Sequence, residues 1–212
     1  MQRDLLDALR CPGLHDESWL VAVVHVASGS ELIEAALACP VCGAEYRVAD
    51  GVAHFSEAPV PAHDTWPTDD HLIRLAALLG VAESQQPIAL VGRYAASSAP
   101  LASYVAAPQL LVNAVAGPRA VGASCIVVAD RLPLGVDTLA AVAVDAGNAS
   151  ASMLESAARA LRLGGRLVAP ADAPLPAGLR ELARDATEWV AETTTRASGL
   201  VELRRRAPES VR

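Results

Sequence analysis

The chain contains no lysine. All 17 of its basic residues are arginine, set against 24 acids, and the net charge is -7 at pH 7. That balance argues against a general nucleic-acid binder, which needs a basic face to neutralise phosphates. Aromatic residues make up only 3% of the 212 positions while alanine supplies 44, so the core must be built from small aliphatic side chains. No uninterrupted apolar run approaches the roughly 18 to 20 residues of a membrane span. The first ten residues, MQRDLLDALR, place acids and arginine among the leucines and so lack the basic-then-apolar layout of a secretory signal. A cytoplasmic protein with no membrane partner is the expectation. With 52% of its residues apolar, the chain can bury one core and a smaller satellite, which excludes disorder.

The charge is unevenly spread. Residues 1–60 hold three arginines against nine acids, and the imbalance nearly vanishes beyond them. Pro59, Pro61 and Pro67 fall where the composition changes and leave little room for a helix or strand between them. The expected division is a zinc-ribbon-like domain over 1–58, a linker over 59–67 and an α/β domain over 68–212.

In the first part, residues 4–10 read as a short amphipathic helical turn. SWLVAVVHVAS, ELIEAALAC and AEYRVADGVAHF read as strands separated by turns at Gly29 and Gly43. In the second part, Thr68 is placed to cap a helix with Leu72, Leu75, Ala76 and Leu79 on one face and a stop at Gly80. PIALVG, QLLVNAV, SCIVVAD, LAAVAVD and GRLVAP are short runs apolar on both faces, as strands between two helical layers should be. Further helices are expected over residues 150–163, ending at Gly164-Gly165, and over residues 179–194, with Leu179, Leu182, Ala186 and Trp189 on one stripe. A last strand is expected over GLVELRRR. Strands alternating with helices predict an open, mainly parallel, doubly wound Rossmann-like sheet.

Three of the four cysteines lie in the first 42 residues, and in a reducing compartment such clustering favours metal binding over disulfides. Cys39-Pro40-Val41-Cys42-Gly43 is a knuckle that aims two thiolates at one point. Cys11-Pro12 begins a second knuckle, but Leu14 stands where its second thiolate belongs and His15 follows one residue late. Cys11, His15, Cys39 and Cys42 are therefore the expected Cys3His ligands of a structural zinc ion, with His25 and His54 as weaker candidates for the fourth place. The alternative is that the thiols are ordinary buried cysteines.

LLDALRCP and ACPVCGAEYRVADGVAHF resemble the zinc-ribbon family that includes the activator subunit of tRNA and protein methyltransferases. Similar ribbons also precede the catalytic domain of some bacterial methyltransferases. The later stretch CIVVADRLPLGVDTLAAVAVDAGNASASMLESAARALRLGGRLVAP resembles the class I S-adenosylmethionine-dependent methyltransferases. That resemblance implies Asp130 near the cofactor's adenine, Gly92 in the loop after the first strand and Asn113 at the ribose position. The family's loop needs an acid and three glycines, and its second strand ends in a ribose-binding acid. Here Leu90, Tyr94, Ala96 and Asn113 replace four of these, and Tyr94 is expected to enter the pocket. Asp145, ending the fourth strand, is a candidate base or a cap of the following turn. Cys125 reads as a buried small hydrophobe, and Ser97 and Ser98 lack a hydrolase elbow.

The favoured expectation is a noncatalytic methyltransferase-like binding or scaffold protein whose S-adenosylmethionine site has degenerated. It predicts a protein partner, either a methyltransferase or a second copy of the chain. An active but divergent methyltransferase, and a regulatory subunit that activates a separate methyltransferase through its ribbon, stay open beside it.

Overall fold

The computed structural model describes residues 1–57, 67–114 and 117–195. Most of the expected linker and the expected strand at Gly199–Arg206 lie outside these residues. Near the N-terminus Arg3–Asp7 form a 3-10 helix, tighter than the turn expected there. β1 (Val21–Ser28) and β2 (Glu31–Ala38) form an antiparallel hairpin, and β3 (Glu45–Ala49) and β4 (Val52–His54) continue it. The single strand expected over residues 44–55 is thus two. Asp50 and Gly51 both take positive φ, 50° and 74°, and the chain reverses so that Val48 pairs with Ala53. A two-residue hairpin loop demands that geometry, and Asp-Gly adopts it at little cost.

The second part opens with α1 (Asp69–Leu79). The Thr68 hydroxyl accepts a hydrogen bond from the His71 backbone N–H at 3.3 Å, and Gly80 ends the helix in the left-handed region. There follow β5 (Ile88–Val91), α2 (Ser98–Leu101), β6 (Gln109–Val112), β7 (Ser124–Val127) and β8 (Leu139–Val144). α3 (Ala151–Ala160), β9 (Leu161–Pro170), β10 (Leu179–Arg184) and β11 (Glu188–Thr193) complete the described elements. One sheet of eleven strands joins everything, in the order β1-β2-β3-β4-β7-β6-β5-β8-β9-β11-β10. β4 through β9 run parallel in it, and the order reverses between β5 and β8. This is the mainly parallel Rossmann-like sheet predicted from sequence, with a ribbon built onto one side. In such sheets ligands bind beyond the strand ends at the reversal.

Alternate residues of the strands feed two core layers. Leu90, Leu111, Ala141, Ala143 and Val168 pack with Leu72, Leu75 and Leu79 of α1. Val91, Val112, Val142, Val144 and Leu167 face α3 through Met153, Leu154 and Ala157. Leu5, Leu9, Leu32 and Leu37 join this second layer. The N-terminal segment so covers sheet surface that a crossover helix would otherwise cover, and among the described residues no helix links β6 to β7 or β7 to β8.

The helix expected over residues 179–194 is instead the hairpin of β10 and β11. Trp189 and Ala191 enter one core layer and Val190 the other, an alternation that only a strand between two layers can produce. Asp185 sets the turn: its Oδ1 accepts from the Thr187 N–H at 2.8 Å and the Glu188 N–H at 3.0 Å. The other expected helix stops at Ala160, three residues short. Leu139 pairs with Leu161 and Ala141 with Arg166, so residues 162–165, including the glycine pair, bulge out of β9 instead of capping a helix.

Candidate functional site

Two places carry the residues singled out above. The first lies where the ribbon's two halves meet. Donor atoms of Cys11, His15, Cys39 and Cys42 all lie within 4.8 Å of one another. The Cys11 and Cys42 sulfurs are 3.7 Å apart, and the Cys39 sulfur is 3.4 Å from His15 Nε2. A zinc tetrahedron with Zn–S of about 2.3 Å has edges of roughly 3.5 to 3.8 Å, so these residues fit a structural Cys3His ion. Leu14, which stands where a cysteine would complete a regular knuckle, is 94% exposed and points away. The backbone turn brings His15 in: its N–H donates to the Gly13 carbonyl at 3.0 Å. His15 Nδ1 lies 2.6 Å from the Asp16 carbonyl, which holds the ring proton on that side and leaves Nε2 facing the thiols.

Burial pushes the Cys39 thiol up, but the N–H groups of Cys42 and Val41 and the neighbouring thiols outweigh it and hold the pKa at about 6. The site is thereby prepared for a thiolate. Tyr46 brings its hydroxyl to 3.5 Å from the Cys11 sulfur, and burial raises its pKa. His25 and His54 take no part in the cluster, the one such group found among the described residues.

Residues not singled out in the sequence tie this centre to the α/β part. Arg10, 8% exposed, donates from Nε to Glu17 at 2.9 Å and lies over the Trp19 ring at 4.1 Å. Glu17 also pairs with Arg159 of α3, which donates to the Leu134 carbonyl at 2.8 Å. Arg10, Cys11, His15, Glu17, Arg131 and Arg159 line a cavity of about 270 Å³ between ribbon and α3. No local pattern announces the tie to α3, because Glu17 and Arg159 lie 142 residues apart.

The second place is the crevice at the sheet's reversal. Val91 pairs with Val144, so Gly92 and Asp145 leave adjacent parallel strands side by side. Asp145, 2% exposed, accepts from the Arg93 N–H at 2.9 Å and from Asn148 Nδ2 at 2.7 Å. Asn148 Oδ1 accepts from Asn113 Nδ2 at 2.8 Å, and Asn113 Oδ1 accepts from the Val128 N–H at 2.9 Å. Three side chains thus bridge the ends of β5, β6, β7 and β8. A Cβ added to Gly92 would lie 2.5 Å from Asn148 Nδ2 and closer still to both Asp145 oxygens. With φ of +65°, this glycine admits the protein's own carboxylate against its backbone. Asp145 serves here as the clamp of a turn, whose N–H of Asn148 also bonds its carbonyl at 3.1 Å.

Of the three positions implied for a cofactor, Gly92 and Asn113 belong to this bridge. Asp130 is exposed, and its carbonyl accepts from Ser150 Oγ at 3.4 Å. Tyr94 lies buried in the α1-side core rather than over Gly92. Its ring stacks on His71 at 5.9 Å, and its hydroxyl donates to Glu188 at 2.9 Å. Burial, then the Glu188 carboxylate, pushes the tyrosine up to about 12. Glu188 and Asp185 both pair with Arg74 of α1, at 2.5 and 2.6 Å. Burial, reinforced by the Arg93 guanidinium, lowers the His71 pKa. Cys125 is buried in β7 with its thiol pushed up by that burial.

No family model matches the chain, and neither does any curated protein. Among solved structures, it is similar to a geranyl diphosphate methyltransferase in complex with SAM, at 16% identity over 47% of each chain with a TM-score of 0.39. It is similar also to the antibiotic-resistance methyltransferase Kmr, at 16% identity over 64% of this chain and 97% of that one, TM-score 0.38. The MycE methyltransferase of the mycinamycin pathway matches 69% of this chain and 54% of its own at 10% identity, TM-score 0.45. The chain spans about half the length of the first of these. All three of these proteins are methyltransferases. Among the described residues, no helix is long and apolar enough to cross a membrane.

Proposed function

We propose that this chain is a noncatalytic methyltransferase-like binding protein, braced by a structural zinc ribbon, whose cofactor crevice is closed by its own side chains. The observation that carries the reading is the bridge from Arg93 through Asp145, Asn148 and Asn113 to Val128. An S-adenosylmethionine site needs open backbone beside a glycine and a carboxylate free to accept the ribose hydroxyls. Here the open side of Gly92 is taken by Asp145, and both ends of the Asn113 amide are engaged within the protein. Displacing a ligand's hydrogen bonds by internal ones removes the gain in binding, because the buried groups are already satisfied.

Zinc, when bound to Cys11, His15, Cys39 and Cys42, would cross-link the N-terminal turn to the knuckle between β2 and β3. Its contribution in this reading is to folding. The activator reading requires an apolar ribbon face available to another enzyme. Leu5, Leu9, Leu32 and Leu37 are buried in the layer shared with the chain's own sheet, so that side of the ribbon is closed to another enzyme and only the exposed valines of β1 are left for such a contact. Equilibrium dialysis of the full, zinc-replete chain against labelled S-adenosylmethionine tests the proposal. No retained label at millimolar ligand is the expected result; one equivalent bound at micromolar concentration would restore the divergent-enzyme reading.

A further inference from the structure

The eleven-stranded sheet ends in two unlike edges. At one end β10 carries Arg180, Glu181 and Arg184, with Arg184 paired to Glu181 at 2.6 Å and Arg180 paired to Glu192. Charges of this kind keep an edge from recruiting another strand. At the other end β1 has eight residues and no Asp, Glu or Arg, and its one titratable side chain is His25. Val21, Val23, Val24 and Val26 are 57%, 58%, 42% and 45% exposed. Among the described residues no strand pairs with the far side of β1.

We propose that β1 is the seam of a symmetric dimer, in which two copies of the chain join their sheets edge to edge and antiparallel. The occupant is argued from the strand itself. Ala22, Val24 and Ala27 pair with Leu37, Ala35 and Leu32 of β2, whose side chains are buried, so they share the core-side face. Val21, Val23 and Val26 pair with Ala38, Ala36 and Glu34 and share the other, because the register shift around His25 changes the alternation. Two copies related by a twofold axis near Val24 and His25 set Ala22 against Ala27 and Val23 against Val26. These inner pairings join residues of like size on one face and each occurs twice, while the outer ones set Val21 against Ser28. With no acid or arginine in the strand, self-pairing brings no like charges together within the seam.

A head-to-tail joint of β1 to the β10 edge would press valines against Arg180, Glu181 and Arg184, so closure into a dimer is favoured over an open filament. Eight paired residues a side, with Trp19 beside them at 62% exposure, bury roughly 1,000 Å² in total, near the lower limit for a specific interface. Dimerisation is therefore expected to be concentration-dependent. It does not rest on the noncatalytic reading, since an enzyme with an open crevice could pair by the same edge.

Sedimentation analysis of the full chain, combined with hydrogen exchange, tests the proposal. The expected result is a monomer–dimer equilibrium in the micromolar range, with the β1 amides protected more strongly as concentration rises. Val23→Lys should shift the midpoint at least tenfold while leaving zinc content and the melting temperature of the dilute monomer unchanged, because the side chain is exposed in the monomer. Leu182→Lys on β10 should leave the dimer intact. A monomer at millimolar concentration, growth beyond the dimer, or loss of the dimer through Leu182→Lys but not Val23→Lys would each overturn it. Cofactor dialysis on the same samples reports on the crevice separately.

Discussion

The Cys/His cluster of the ribbon and the crevice at the sheet's reversal both involve residues drawn from separate turns, yet the fold treats them differently. In the ribbon, four potential donors converge within 4.8 Å of one another, and His15 stands one residue after the regular ligand position that Leu14 occupies. In the crevice, Gly92 and Asn113 converge on Asp145 and Asn148, while Asp130 stays exposed outside the bridge. A site whose groups point at a common empty centre is suited to a ligand. One whose groups satisfy each other is suited to holding strands together, and residue types alone do not distinguish the two.

The largest effect that would break this contrast is expected at the ribbon. Cys39→Ser should lose the metal, and because structural zinc in small ribbons contributes on the order of 10 kcal/mol, the ribbon should unfold. β4 is hydrogen-bonded to β7, so the α/β part should melt earlier as well. Metal analysis with thermal melting checks both outcomes. Well under one zinc per chain in the wild-type protein would remove the centre altogether.

Gly92→Ala comes next. The new methyl would press on Asp145 and Asn148 at positive φ, and about 3 kcal/mol of destabilisation is expected. Gly122 has φ of +76° but nothing within 4 Å, so Gly122→Ala should cost only about 1 kcal/mol. Denaturant unfolding of the pair separates crowding by neighbours from backbone strain alone. Asp145→Ala, which strips the Arg93 N–H of a buried acceptor, should cost about 1 to 3 kcal/mol by the same measurement.

The smallest effect belongs to the β10–β11 turn. Hydrogen bonds from the Thr187 and Glu188 N–H groups, ahead of Arg74, hold the Asp185 carboxyl well below the usual range. A lowered folded pKa contributes stability that is fully present above the unfolded value near 4 and is lost as pH falls through the lower folded value. Asp185→Asn should therefore lower stability at pH 7, where the charged carboxylate contributes, and flatten the acid limb below pH 4, where the two proteins should converge. Acid titrations of melting temperature for the two proteins make the comparison.

Much of this was readable in the sequence where the cause is local. Thr68 and Gly80 bracket α1 as expected, and the CPxCG spacing placed two thiols before any tertiary contact was known. The misreadings have physical reasons. Leu179, Leu182, Ala186 and Trp189 satisfy a helical period, but Asp185 offers the backbone a turn, and Trp189 and Val190 gain more by inserting between β9 and β10. At Asp50-Gly51 a strong hairpin signal interrupts an otherwise continuous strand pattern, and the turn outweighs the flanking alternation. The partnership of Gly92 with Asp145 was not legible at all, since only the register of β5 against β8 brings them together.

The central claim is that the crevice is closed by Asp145, Asn148 and Asn113. Calorimetric titration of the zinc-replete chain with S-adenosylhomocysteine tests it most directly. The account predicts no saturable heat up to millimolar ligand; a one-to-one isotherm at micromolar concentration would contradict it.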